Sequence, residues 1–183
     1  MQLAVARPPV LSRPCRGPQR KANVARSSAI AAPMSLVLPA NFGWIAGVVV
    51  GSYAVHHGFM AFHVMKARKR FGVSYPTLYA TAEECPSAES RKAFNCVQRG
   101  HQNSLENQPI FLALLLTAGL KHPLTAAAAG ALYLIGRVMY MQGYATGDPN
   151  ARMRGSIMYV GLLTLLGVVG KWAVQTAVAA IAK

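Results

Sequence analysis

The residues best suited to chemistry lie between positions 94 and 111, where Arg99, Asn103 and Glu106 follow one another at helical spacing. Residues four and seven positions apart share one face of an α-helix, so a cation, an amide and a carboxylate form one stripe. The apolar segment that follows is typical of a membrane helix, and charged groups at membrane depth face protein, water or a ligand rather than lipid. The stripe is therefore a candidate binding site. The alternative is that Arg99 and Glu106 only form an ion pair between helices.

A second polar stripe lies later in the chain, where Tyr133, Arg137, Tyr140 and Tyr144 also recur at helical spacing. Tyrosines near the end of a membrane helix commonly form an interfacial belt. An arginine among them favours a polar site instead. Two basic segments, 66–71 and 146–155, are expected at the same end of the helices as both stripes.

The combined polar set predicts the kind of ligand. It contains several cations, one acid, an amide and phenols, which suit a small zwitterion with more than one carboxylate. Glutathione is such a molecule, and a cation near its thiol would favour the nucleophilic thiolate. An apolar electrophile could then reach the thiolate directly from the bilayer.

The composition indicates an integral membrane protein of one domain. Of the 183 residues, 53% are hydrophobic and only 13% are charged, as is typical of polytopic membrane proteins. We expect an all-α, left-handed four-helix bundle over residues 34–183, with spans at about 42–65, 93–120, 124–146 and 156–182. The formal charge of +14 does not indicate nucleic-acid binding, because most basic residues lie before Met34 or flank apolar runs.

The first 33 residues form a basic leader without acids. This composition predicts a cleavable transit peptide and a plastid or mitochondrial membrane. The alternatives are a disordered basic tail, or Met34 as the true initiator.

No metal site or disulfide framework is expected. Cys15, Cys85 and Cys96 have neither paired nor metal-type spacing. His56 and His63 lie seven positions apart without a carboxylate or cysteine nearby in sequence, so packing between helices is favoured over metal binding.

Three separated motifs carry a family resemblance: KARKRFGVSYP, FNCVQRGHQNSLENQPIF and GRVMYMQGYATGDPNARMRG. Together they make residues 42–172 similar to the membrane-associated proteins in eicosanoid and glutathione metabolism, especially the microsomal glutathione S-transferase type 3 branch. The resemblance implies a homotrimer in the endoplasmic reticulum or another endomembrane, with glutathione as co-substrate between subunits. It also implies glutathione conjugation and reduction of lipid hydroperoxides, possible leukotriene C synthase-like activity, and hydrophobic electrophiles as second substrates.

The resemblance also assigns site residues. Those expected to contact glutathione are Arg68, Arg99, His101, Asn103, Glu106, Tyr140 and Tyr144. Arg152 matches the thiolate-stabilising arginine if one residue is inserted in the loop, and otherwise Arg154 does. Lys69 stands where leukotriene C synthases have an arginine that acts on the second substrate. The alternatives to an enzyme are a non-catalytic lipid-binding scaffold of the same family and a small transporter.

Overall fold

The computed structural model describes residues 37–182, and within this range all regular secondary structure is helical. The predicted all-α class is thereby confirmed, while the basic leader 1–33 lies outside the described residues. The long helices are α1 (Gly43–Phe71), α2 (Ala88–Lys121), α3 (Pro123–Tyr144) and α4 (Ile157–Ile181). A short 3₁₀-helix, Pro149–Gly155, joins α3 to α4.

Helix α1 contains a π-helical segment at Ala54–Met60 between two α-helical parts. The helix then continues through the basic cluster that follows the predicted first span, so Arg68 and Lys69 lie on a helix rather than in a loop. Gly72 ends it with a φ of +70°, a left-handed conformation that glycine adopts without steric cost.

Within residues 37–182, three helices are long and apolar enough to cross a membrane: α1, α3 and α4. Helix α2 has 34 residues, or about 51 Å at a rise of about 1.5 Å per residue, but its first half is polar. It remains a continuous helix through Pro109. That α2 also crosses the membrane stays a prediction.

Helix α2 starts five residues before the predicted beginning of the second span. Ser87 is the reason, because its side-chain oxygen accepts a hydrogen bond from the Ser90 amide at 3.3 Å and so caps the first turn. The first turns of α2 are polar. They extend the helix from its apolar segment back to the loop that follows α1.

Helix α3 is central and packs against α1, α2 and α4. The Phe111 and Tyr133 rings stack across the α2–α3 interface with centroids 4.1 Å apart. Gly161 of α4 lies so close to α3 that an added Cβ would meet the Ala129 carbonyl oxygen at 2.4 Å. These close approaches hold α3 and its tyrosine stripe against α2 and α4.

Helix α4 packs against α3 along one narrow side and leaves the rest of its surface outside the core. Only Met158, Gly161 and Leu165 are buried, and large apolar side chains such as Leu163 and Val174 are exposed. A helix with this pattern needs lipid or another subunit around it. This apolar outer surface agrees with the integral membrane protein that the composition predicts.

Candidate functional site

The polar stripe on α2 contains an ion pair that lies within the helix. Arg99 Nη1 and Glu106 Oε1 are 2.9 Å apart, and the two side chains are 44% and 46% exposed. The alternative of a pair between helices is therefore wrong. A pair this exposed contributes only about 0–1 kcal/mol to stability. Because water competes for both groups, a ligand carboxylate and ammonium could also engage them.

Asn103, the third member of the α2 stripe, is bound to α3. Its Oδ1 accepts a hydrogen bond from Arg137 Nη1 at 3.0 Å, and Arg137 Nε donates to Tyr133 Oη at 2.9 Å. Arg137 is almost fully buried, at 2% exposure. The buried guanidinium thus connects the stripes of α2 and α3.

The tyrosine stripe continues from Arg137 towards the loop before α4. The Arg137 guanidinium lies 5.5 Å from the centroid of the Tyr140 ring, within the range of a cation–π contact. The Tyr140 and Tyr144 rings meet edge to face at 5.1 Å. Arg152 Nη1 then donates to Tyr144 Oη at 3.3 Å. A continuous line of contacts therefore runs from Asn103 to Arg152.

The 3₁₀-helix places Arg152 beside Tyr144. Gly147 turns the chain with a φ of +84°, and Asp148 Oδ1 caps the 3₁₀-helix by accepting from the Asn150 amide at 2.9 Å. The hydrogen bond with Tyr144 raises the pKa of Arg152 above its usual value. The exposed guanidinium is therefore a permanent cation beside Tyr144.

The position of Arg152 depends on the absence of a side chain at Gly143. An added Cβ there would lie 2.1 Å from the Ala151 carbonyl oxygen, so Gly143→Ala must move the 3₁₀-helix. We expect a loss of about 1–3 kcal/mol in the free energy of unfolding, together with lower activity. Gly167→Ala is the control, because an added Cβ on that glycine of α4 meets nothing within 4 Å. Thermal melts of both variants in detergent measure the difference, and equal melting temperatures would contradict the close contact.

A cavity of about 500 Å³ opens at the start of α2, bordered by the loop that precedes α2, the end of α3 and the start of the 3₁₀-helix. Arg99 and Tyr144 of the predicted set line this cavity. Lys92, Asn95 and Tyr79 line it too. The cavity therefore combines cations, an amide and phenols of the kind expected for a glutathione site, whereas Glu106 and Arg152 do not line it.

Arg68 and Lys69 line a different cavity of about 430 Å³ at the end of α1. Arg68 is buried; its Nη1 donates to the Ser74 carbonyl at 3.3 Å, and its guanidinium lies 4.3 Å from the Tyr75 ring centroid. Lys69 is exposed. Within residues 37–182, neither side chain has a hydrogen bond or ion pair with Arg99, Glu106 or Arg152.

His101 faces away from the α2 stripe. Its Nε2 hydrogen-bonds to the His56 carbonyl oxygen of α1 at 3.1 Å. At about 100° per residue it lies roughly 160° around α2 from Arg99. The structure thus brings six of the nine predicted residues together in one chain: Arg99, Asn103, Glu106, Tyr140, Tyr144 and Arg152. Arg68 and Lys69 lie together at the end of α1, and His101 lies apart from both sets, against the middle of α1.

Sequence reasoning missed Tyr79 and Gln102 as members of the site. Tyr79 Oη donates a hydrogen bond to Gln102 Oε1 above the α2 stripe. Tyr79 lies in an irregular loop, where no periodicity indicates the direction of a side chain. Gln102 could have been found, because it is three residues after Arg99 and four before Glu106.

The described cysteines, Cys85 and Cys96, are both free and buried. In the stretch from 37 to 182, no group of three histidine, cysteine or acidic side chains could hold a metal ion.

Comparison with known proteins identifies the family. The model of the MAPEG family matches residues 46–174, more than two thirds of the chain. Microsomal glutathione S-transferase 2 of Homo sapiens is 32% identical over 120 residues, which cover 64% of this chain and 75% of the relative. The Mus musculus protein of the same name is 32% identical over 116 residues, covering 63% and 71%.

A second type of relative is leukotriene C4 synthase. The Bos taurus protein is 32% identical over 129 residues, which cover 69% of this chain and 75% of the relative. Both types of relative carry names that refer to glutathione or leukotriene chemistry. The resemblance to the family found in the three sequence motifs is thereby confirmed, while the assignment to the type 3 branch stays a prediction.

Proposed function

The chain belongs to the MAPEG family, and from this premise we propose that it is a membrane-bound glutathione S-transferase. Its second substrates are hydrophobic electrophiles that enter from the bilayer. The proposal includes glutathione-dependent reduction of lipid hydroperoxides, and leukotriene C synthase-like conjugation falls in the same reaction class.

The line of contacts from the α2 stripe to Arg152 is the observation that supports this proposal most. Arg99 can bind a carboxylate of glutathione, and Glu106 can bind its ammonium group. Arg152 has no carboxylate partner within residues 37–182; its hydrogen bond goes to the phenol Tyr144. Its charge is therefore available to an anionic ligand group.

In the proposed mechanism, Arg152 stabilises the thiolate of bound glutathione as the thiol loses its proton to water. In conjugation, the thiolate sulfur forms a bond to an electrophilic carbon, whose leaving group takes the bonding electrons and then a proton. In hydroperoxide reduction, the sulfur attacks the terminal peroxide oxygen and the alcohol leaves. A second glutathione converts the resulting sulfenic acid to glutathione disulfide and water.

We further propose that the site is completed by a neighbouring subunit of a homotrimer. Arg68 and Lys69 line a different cavity from Arg99 and Tyr144, and His101 faces α1, so a second subunit is the simplest way to bring such residues to one glutathione. In this arrangement Arg68 and His101 bind the peptide, and Lys69 acts on the second substrate.

Mixed trimers of Arg152→Ala and Arg68→Ala chains should regain activity that each variant lacks alone.

The proposed location is the endoplasmic reticulum or another endomembrane, as the family resemblance implies. The basic leader 1–33 supports a plastid or mitochondrial membrane instead. Mass spectrometry of the mature N-terminus in purified organelles decides between them. In purified organelles, a start near Met34 but at neither Met34 nor Ser35 would support import, and an intact Met1 would count against it.

Glutathione binding to the detergent-solubilised protein tests the proposed function. The expected result is saturable binding at millimolar concentration and conjugation of an apolar electrophile. A non-catalytic lipid-binding scaffold would show neither. Uptake of glutathione into proteoliposomes without conjugation would favour a transporter instead.

A further inference from the structure

The loop between α1 and α2, residues 72–87, is anchored to α2 by its backbone. The Ala80 amide donates to Asn95 Oδ1 at 2.9 Å, and Asn95 Nδ2 donates back to the Ala80 carbonyl at 3.3 Å. Val73, Ala80 and Cys85 are buried in a cluster with Phe94 of α2. The residue before Ala80 is therefore held in a defined place.

That residue, Tyr79, extends over the α2 stripe. Its hydroxyl donates to Gln102 Oε1, and its ring lines the same cavity as Arg99. Gln102 follows Arg99 by three residues and precedes Glu106 by four, so the three side chains are neighbours on one helix surface. The Tyr79–Gln102 pair thus stands directly beside the ion pair.

The pair retains unused hydrogen-bonding capacity. A tyrosine hydroxyl that donates one hydrogen bond can still accept, and the Gln102 Nε2 group can still donate. A peptide amide presents the complementary groups, an N–H donor and a C=O acceptor. The pair is uncharged, so it suits an amide better than a carboxylate. A carboxylate would bind instead to Arg99 or Lys92, which line the same cavity as Tyr79.

We propose that Tyr79 and Gln102 form a subsite for a peptide amide of glutathione, an inference that rests on the proposed function. The hydroxyl of Tyr79 accepts from the amide N–H, and Gln102 donates to the amide carbonyl. The subsite selects a peptide thiol over a simple thiol that has no amide. It belongs to the same chain as Arg99, because the anchored loop and α2 are parts of one subunit.

The test compares Tyr79→Phe with wild type, using glutathione and 2-mercaptoethanol as alternative thiol substrates. Loss of one hydrogen bond should raise KM for glutathione by about tenfold and leave kcat at saturation nearly unchanged. The preference for glutathione over 2-mercaptoethanol in kcat/KM should fall by about the same factor. Gln102→Leu should give the same pattern, because it removes the other half of the subsite.

Tyr53→Phe is the matched control, because Tyr53 is an exposed tyrosine on α1; it should keep the wild-type values. Equal melting temperatures of all variants would show that the loop remains in place. If Tyr79→Phe and Gln102→Leu both kept the wild-type preference for glutathione, the subsite would be disproved while the proposed function stood. A wild-type protein that uses no glutathione would overturn both.

Discussion

Replacing Arg152 with alanine should lower glutathione conjugation at pH 7 by about eight- to thirtyfold. An opposite charge within a few ångströms lowers the pKa of an acid by about one to three units, and Arg152→Ala removes that charge from the bound thiol. At pH 7 a thiol with a pKa well below 7 is almost fully ionised, and the thiolate fraction falls about tenfold for each unit by which the pKa rises above 7, to about 3% at a pKa of about 8.5. The pH dependence of kcat/KM measures this directly, and its midpoint should move upward by the same number of units.

Arg154→Ala is the control for Arg152. Both arginines belong to the same 3₁₀-helix and both are exposed, but only Arg152 donates to Tyr144 among the hydrogen bonds of residues 37–182. The expected effect of Arg154→Ala is small. If Arg154→Ala shifted the midpoint and Arg152→Ala did not, the insertion assumed in the loop would be wrong and Arg154 would hold the thiolate.

Replacing Arg99 with alanine should weaken glutathione binding by about 10- to 100-fold, because it removes a charge-assisted hydrogen bond worth about 1.5–3 kcal/mol. The melting temperature should change little, since the Arg99–Glu106 pair is nearly half exposed and contributes little to stability. Isothermal titration with glutathione in detergent measures the binding loss.

A double substitution separates a ligand-binding role from a purely structural one. Arg99→Glu combined with Glu106→Arg keeps opposite charges at the same two positions of α2. If the residues served only as an ion pair, the double variant would bind glutathione like wild type. We expect it to bind as poorly as the single variant, because the ligand carboxylate and ammonium would each meet a like charge.

The helical class and the α2 stripe were predictable because both follow from periodicity. Apolar runs of membrane length indicate helices, and the spacing of Arg99, Asn103 and Glu106 places them on one face whatever the fold. The resemblance added the expectation that Tyr144 and Arg152 join the same site. Their observed contact agrees with that expectation, while their catalytic and binding roles remain proposals.

Other features depend on tertiary structure that periodicity does not contain. Tyr79 reaches the stripe only because Asn95 holds Ala80 from fifteen residues away. The Arg68 side chain contacts the Ser74 carbonyl and the Tyr75 ring in the loop after α1. Its position in the sequence does not indicate this direction.

Thiolate formation by bound glutathione, without any electrophile, tests the central claim most directly. Ultraviolet difference absorbance of the detergent-solubilised protein with saturating glutathione should show the thiolate band near pH 7, with a midpoint about one to three units below the value of about 8.5 for an ordinary cysteine thiol. Arg152→Ala should return the midpoint to that ordinary value. A wild-type midpoint equal to that of free glutathione would contradict the claim that this site activates the thiol.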